Sequence, residues 1–356
     1  MKYRKTAIYE QTDATTAKTE TIDLDLSEII SRLQVKFNST NNGNTCTAHP
    51  AAQISKVEIV DGSDVLFSLS ARQIEALMFY NTMKGRNYEI EYRNDCENRM
   101  VLDLYFGRYL WDTALALNAR KFTNPQLKVT HNKASGGCVP DAATLEVFAD
   151  VFDEKSVTPI GFVMAKEWFS WTSPSSAANK YIDLPNDYPI KRIGVETFKA
   201  DSWWDNIVSE VELDEENKKR LPWSIDAYDL MQLALQNYGN YRENLALTTP
   251  GADYAEYYIT PVEVAAIAPF AYGVEDVAVE AERVGGYISI GSLTTPAAMR
   301  VLVDGPIPHG FVPLDCGLQS DYEDWFDVTR KGKVKLRIKA GGTADLKIVL
   351  EQLRRY

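Results

Sequence analysis

The sequence predicts an all-β protein built from two tandem copies of one strand-rich domain, each copy carrying one short helix. Three observations carry that expectation. Residues 21–37, TIDLDLSEIISRLQVKF, return in kind 160 positions later as YIDLPNDYPIKRIGVETF, residues 181–198. Apolar residues alternate with period two through most of the chain, the pattern of half-buried strands. The composition, 11% aromatic with 19 Tyr in 356 residues, favours pleated surfaces.

The repeat extends beyond its opening block. Ile22, Asp23 and Leu24 stand opposite Ile182, Asp183 and Leu184, and Ile30, Arg32, Leu33 and Val35 opposite Ile190, Arg192, Ile193 and Val195. A second block follows at an offset of 154: SKVEI (55–59) meets SEVEL (209–213), Ser70 meets Ser224 and Gly85 meets Gly239. The loop NSTNNGNTCTAHP, rich in turn residues, absorbs the six-residue difference. In a third block LKV (127–129) faces VKL (334–336). Each is followed by a glycine pair, Gly136-Gly137 or Gly341-Gly342, and then an apolar strand, ATLEVFADV or ADLKIVLEQL. The offset there is between 201 and 207, so copy two holds roughly 50 extra residues between Gly239 and Val334. A period this long marks a duplicated domain and not a solenoid.

Within copy one, Ile54, Val57 and Ile59 precede the turn DGSD, and Val65, Phe67 and Leu69 follow it, a hairpin pattern. YEIEY (88–92), MVLDLYF (100–106), QLKVT (126–130) and TLEVFADVF (144–152) also read as strands, about eight in all. One helix interrupts them: Ser70 caps it, Gln73 completes a capping box, Ile74, Leu77 and Met78 form its apolar stripe, and Gly85 ends it. In copy two Ser224 is the expected cap, Asp226 complements the helix dipole and Gly239 is the stop. Eight strands in Greek-key order make a jelly roll; a meander or a barrel fits the strand count as well.

Bulk properties narrow the function. The formal charge of -12 opposes binding to phosphate backbones, which calls for a basic face. A local basic cluster, Lys2, Arg4 and Lys5, lies at the start. Four cysteines at 46, 96, 138 and 316, with no CxxC pair, read as free thiols of a reducing compartment. No apolar run follows the basic start, so no signal peptide is expected.

Two tandem eight-stranded domains, a helix within each and a long insertion in the second resemble the double jelly-roll major capsid proteins of tailless icosahedral viruses, often with an internal membrane. In copy one the resemblance rests on residues 21–37, on VEIVDGSDVLFSLSARQIEALMFYN (57–81) and on LDLYFGRYLWDTALALNARKFTNPQLKV (102–129). In copy two it rests on residues 181–198, SEVELDEENKKRLPWSIDAYDLMQLALQNYG (209–239) and FVPLDCGLQSDYEDWFDVTRKGKVKLRI (311–338). It implies an N-terminal arm at 1–16, a first jelly roll at 17–160 and a second at 161–356 with a surface insertion at about 240–300. It also implies a homotrimer whose six similar domains make a pseudo-hexagonal tile. The tile would meet neighbouring capsomers and vertex or minor capsid proteins in a virion made in the host cytoplasm. No cofactor, catalytic residue or sequence-specific nucleic-acid contact is implied. Lys2, Arg4 and Lys5 would face an inner membrane surface or a neighbouring capsomer. The insertion, with Tyr254, Tyr257, Tyr258 and Tyr272 among Asp253, Glu256, Glu263, Glu275, Asp276, Glu280 and Glu282, would face outward.

Motifs of common enzymes are missing from the sequence: there is no HExxH, GxSxG, GxGxxG or P-loop. His49, His131 and His309 are far apart along the chain, so the sequence offers no metal cluster and each reads as a packing residue. SWWDN (202–206) and DYEDWFD (321–327) join Trp to carboxylates and define the alternative, a carbohydrate-binding or carbohydrate-active β-sandwich using Asp205 or Asp324.

Overall fold

The computed structural model describes the whole chain except residues 86–87, 175–176, 200–201, 251–253, 272–276, 281–284 and 293–295. Copy one folds into two four-stranded layers. The first, in the order β1-β9-β3-β7, joins β1 (Tyr3–Gln11), β9 (Ala142–Phe152), β3 (Ile29–Thr40) and β7 (Glu97–Tyr105). The second, β2-β8-β4-β5, joins β2 (Lys18–Asp23), β8 (Pro125–His131), β4 (Ile54–Asp61) and β5 (Asp64–Leu69). Inward residues of both layers, among them Leu33, Val35, Phe37, Leu102 and Val147 from one and Ile22, Val57, Ile59 and Leu127 from the other, fill one core.

Copy two repeats the plan. Strands β10 (Gly161–Thr172), β23 (Asp345–Arg355), β12 (Ile190–Thr197) and β21 (Phe311–Asp315) form its first layer in that order. Strands β11 (Asn179–Asp183), β22 (Val334–Ala340), β13 (Val208–Glu215) and β14 (Arg220–Asp226) form its second. These are jelly rolls, not meanders, since each layer interleaves strands distant in sequence. A parallel bridge from Ser68 on β5 to Lys166 on β10 continues the second layer of roll one into the first layer of roll two, an eight-stranded sheet.

Irregularities repeat as faithfully as strands do. The ladder slips at Ser31 on β3 and at Lys191 on β12, 160 positions on. It slips at Ile8 on β1 and at Trp168 on β10, and again at Ser55 on β4 and Ser209 on β13. Bulges re-aim side chains and bend the strand, and here they recur at equivalent positions of the two copies.

The register refines the sequence alignment in two places. Ile59 pairs with Leu127 and its counterpart Leu213 with Leu336, so LKV (127–129) matches LRI (336–338), two residues beyond VKL. The turn between β4 and β5 is tight, with Asp61 opposite Asp64, whereas β13 and β14 close with Glu215 opposite Arg220. Two extra residues there move Ser224 onto β14, opposite Glu212, as Ser68 lies opposite Glu58.

The helix caps follow from that shift. Helix α1 (Ala71–Thr82) starts at Ser70 with the expected capping box to Gln73. It ends with Met83 in the left-handed region (φ 54°), not with Gly85. Gly85 instead admits the backbone of Arg242, 3.0 Å from where a Cβ would stand. A short α2 (Trp204–Ile207) precedes β13. Helix α3 (Ala227–Tyr238) is capped by Asp226, which accepts the Tyr228 N–H at 3.0 Å, and not by Ser224. Gly239 (φ 74°) ends it, as expected.

Between α3 and β21 the insertion builds a small body of its own. A sheet in the order β17-β20-β15-β6 joins β17 (Ala266–Ala271), β20 (Ala298–Gly305), β15 (Tyr241–Thr248) and β6 (Ile90–Glu91). A second holds β16 (Tyr254–Tyr258), β19 (Tyr287–Ser292) and β18 (Val277–Glu280). Thus YEIEY of copy one is no sandwich strand: two of its residues pair in parallel with β15 and tie the insertion to roll one. The expected arm is likewise largely strand, because Tyr3–Gln11 pairs with β9 along its length.

Candidate functional site

The features that distinguish the two rolls lie on their outer faces. Strand β12 is buried at every position, while its counterpart β3 leaves Arg32, Gln34 and Lys36 half-exposed. The cause is α1, which leans from roll one across the outer face of roll two. Gln73 donates to Glu167 at 2.8 Å and to Glu196 at 2.7 Å, and Tyr80 donates to the Phe311 carbonyl at 2.6 Å. Asn81 accepts from Lys191 at 2.7 Å and from Arg192 at 3.0 Å, and donates to Glu351 at 3.1 Å. Helix α1 is therefore buried on both sides, while α3, buried on one, exposes Tyr228, Asp229, Leu233 and Asn237.

A buried ionic network anchors this seam. Arg192 pairs with Glu351 at 2.9 Å and with Asp315 at 2.7 Å, and Lys191 reaches Glu351 at 3.2 Å. Burial pushes the Lys191 ammonium down to about 8, against the pull of Glu351. Burial also works against the Arg192 guanidinium, but Glu351 and Asp315 overcome it and hold its pKa above the ordinary value. Burial raises and the two cations lower the Glu351 carboxyl, which ends below the usual range. Roll one carries the same motif uncovered: Arg32, half-exposed, pairs with Asp103 at 2.8 Å and with Asp150 at 2.7 Å.

The three basic residues at the start form no free patch. Arg4 pairs with Glu28 at 2.5 Å and with Asp153 at 3.4 Å, and Lys5 with Asp150 at 3.2 Å; Lys2 stays exposed. Of the insertion tyrosines, Tyr254 is exposed. Tyr257 is fully buried, donates to the Thr248 carbonyl at 2.7 Å and packs on Tyr92. Tyr258 is half-buried, and its carbonyl accepts from Tyr92 at 2.6 Å. Burial, and then Asp205, raise the Glu263 carboxyl to about 7. Asp253, Tyr272, Glu275, Asp276 and Glu282 lie outside the described residues, as does the side chain of Glu280.

Of the two carboxylates of the carbohydrate reading, Asp324 is engaged in structure, while Asp205 lies half-buried in the first turn of α2. Trp204 is fully buried and donates to the Gly310 carbonyl at 2.9 Å, and Trp325 donates to the Leu318 carbonyl at 3.2 Å. A cavity of about 310 Å³ brings Trp223 and Phe326 together with Glu215, Asp315 and Asp324. There Glu215 pairs with Lys331 at 3.1 Å, Asp315 with Arg192, and Asp324 accepts the Leu318 N–H at 2.7 Å.

Sequence reasoning missed one buried group. His49 and His309, distant in the chain, stack edge to face 5.1 Å apart, and His309 Nε2 is 2.7 Å from Glu75 Oε2. Glu243 on β15 lies 3.6 Å from His49 Nε2. Donor atoms of His49, Glu75 and His309 all fall within 4.8 Å, close enough to share a small cation. The hydrogen bonding argues otherwise: His49 Nδ1 accepts the Ala51 N–H at 3.1 Å, which leaves the proton of a neutral ring on Nε2, the atom facing Thr260 at 3.2 Å. A ligating histidine instead keeps that proton on its far nitrogen. The group thus works as a polar rivet joining roll one, roll two and the insertion. No local spacing in the sequence encodes it, as its members come from four separate segments. His131 packs on the Phe37 ring, and burial lowers its pKa.

No family model matches the chain, and no curated protein sequence matches it. Solved structures do. The MCP of STIV is 12% identical with a TM-score of 0.61, over 99% of this chain and 96% of that one. The major capsid protein of Bacteriophage PM2 is 13% identical with a TM-score of 0.57, over 99% and 98%. The capsid chain of PBCV-1 virus is 10% identical with a TM-score of 0.57, over 99% and 93%. The fold is therefore the double jelly roll of viral major capsid proteins, as the sequence resemblance implied.

Proposed function

We propose that this chain is a structural, non-enzymatic major capsid protein that closes a cyclic homotrimer, the pseudo-hexagonal tile of an icosahedral shell. The observation that carries the reading is a pair of open faces that the chain itself already knows how to join. Roll one covers the outer face of roll two with α1, while the outer face of roll one and the outer side of α3 are left open. Placing α3 of one copy on roll one of the next repeats the internal seam between chains. Such a contact is head-to-tail, and a two-roll subunit turning about 60° per roll closes after three copies.

The repeat names the contacts. Ser70 and Asp226 are equivalent caps, so Gln73 corresponds to Asp229 and Asn81 to Asn237. Glu196 and Glu351 correspond to Lys36 and Asp150. The Gln73–Glu196 contact becomes Asp229 against Lys36, a pair of opposite charge, and Asn237 meets Arg32 and Asp150. The Ser68–Lys166 bridge becomes Ser224 on the open edge β14 beside Thr6 on the open edge β1. Joining two open edges also removes a site of stray strand pairing. Neighbouring tiles and minor capsid proteins would then meet the trimer's rim, and an inner membrane surface its base.

Native mass spectrometry of the purified protein tests this. The account expects about 120 kDa, three chains of 40.1 kDa. It also expects Asp229→Lys to shift the population to monomer. A wild-type protein that stays monomeric at high concentration would turn the reading towards the carbohydrate-directed alternative.

A further inference from the structure

We infer that Cys46 and Cys138 are a built pair that closes to a disulfide, stapling the 41–49 loop of roll one to the core of the insertion. Their sulfurs lie 3.2 Å apart across 92 positions of sequence. A bond needs about 2.05 Å, a closure that side-chain rotation can supply. The backbone around the pair is already fixed: Asn42 N–H donates to the Cys138 carbonyl at 3.1 Å, Thr47 N–H to Gly137 at 3.0 Å, and Gly137 N–H to Ala48 at 2.9 Å. Cys138 belongs to the buried cluster of Tyr92, Leu245 and Tyr257 under the insertion, and its sulfur sits 3.4 Å from the Tyr92 carbonyl. Cys46 begins the short run that ends at His49 in the buried rivet. The bond would therefore lock both of the loop's attachments.

The chemistry needs an oxidant, and a small-molecule disulfide such as oxidised glutathione supplies it. Cys46, half-exposed, attacks as thiolate and releases one glutathione, which takes up the proton that Cys46 lost. Buried Cys138 then gives up its proton, attacks the Cys46 sulfur and expels the second glutathione. Two protein thiols and one oxidised glutathione become one protein disulfide and two reduced glutathiones. Burial, and then the neighbouring thiol, hold the Cys46 thiol well above its ordinary pKa. Closure should therefore be slow at neutral pH and gain about tenfold in rate per pH unit as the thiolate fraction rises. Such a pair stays reduced during synthesis and closes later in an oxidising medium.

The test uses the full chain, fully reduced and then incubated with oxidised glutathione, alkylated in denaturant and mapped by mass spectrometry. The expected product is a peptide linked through Cys46 and Cys138, with Cys316 still alkylated. Hydrogen exchange of residues 41–49 should slow on oxidation in the wild type and stay unchanged in Cys46→Ser. A stable glutathione adduct on Cys46 beside an alkylated Cys138, or alkylation of both after oxidation, would overturn the inference.

Discussion

The seam network makes a sharp asymmetry testable. Glu351, 3% exposed, faces two cations, with Lys191 at 3.2 Å, Arg192 at 2.9 Å and Asn81 at 3.1 Å. Glu351→Gln keeps the shape and removes the charge. Arg192 keeps Asp315, but that carboxylate is partly exposed, and Lys191 loses its only direct carboxylate among the described contacts. Breaking a buried pair from one side costs about 3–5 kcal/mol, so the variant should lose about 4 kcal/mol, near a thousandfold in the folding equilibrium. Lys191→Met should cost much less. It removes a cation already pushed down to about 8 by burial and leaves Arg192 paired with both acids. The Glu351 carboxylate left behind is still met by Arg192 at 2.9 Å and Asn81 at 3.1 Å, so the loss should stay well below the one-sided break of about 3–5 kcal/mol. Urea unfolding at pH 7 and fixed protein concentration reads both. Equal losses for the two variants, or less than about 1 kcal/mol for Glu351→Gln, would refute the reasoning.

Two further outcomes follow from the same geometry. Asp226→Ala should cost about 1 kcal/mol by removing the α3 cap, while Ser224→Ala, on the neighbouring strand, should stay within about 0.5 kcal/mol in the same unfolding assay. Glu263 has its folded pKa raised to about 7, mainly by burial. The folded state then binds the extra proton between the ordinary carboxyl value and about 7, so stability from this group is present at low pH and lost as pH rises through that window. Thermal melts from pH 4 to pH 8 should fall more for the wild type than for Glu263→Gln.

Period-two alternation and the 160-position repeat were enough to read the duplicated β-domains, the α1 capping box and the stop at Gly239. Three details were lost to insertions of two residues or to sheet choice. Ser224 looks like a cap because it matches Ser70 at the offset that aligns β4 with β13, and only the longer β13–β14 turn shows that Asp226 takes the role. LKV and VKL alternate identically at either register, so pattern alone cannot separate them. YEIEY has strand composition, but a two-residue parallel bridge to the insertion is a tertiary choice. Strand β1 was hidden by its charges, since Arg4 pairs with Glu28, just ahead of β3, and Lys5 with Asp150 on β9. The interface candidates were invisible for a simpler reason. Exposure of α3 and of the β3 face is defined by what α1 covers elsewhere, and no local sequence records that.

The most direct test of the central claim is a cysteine cross-link at the edge contact between copies. Thr6→Cys and Ser224→Cys occupy positions equivalent to Lys166 and Ser68, which are paired neighbours inside the chain. Paired strand neighbours fall within disulfide reach, about 4.4–6.8 Å between Cα atoms. Under mild oxidation the double variant should run as a covalently closed trimer on a non-reducing gel, with either single variant remaining a single chain. A double variant that stays a single chain, in a preparation whose native mass is trimeric, would contradict the account.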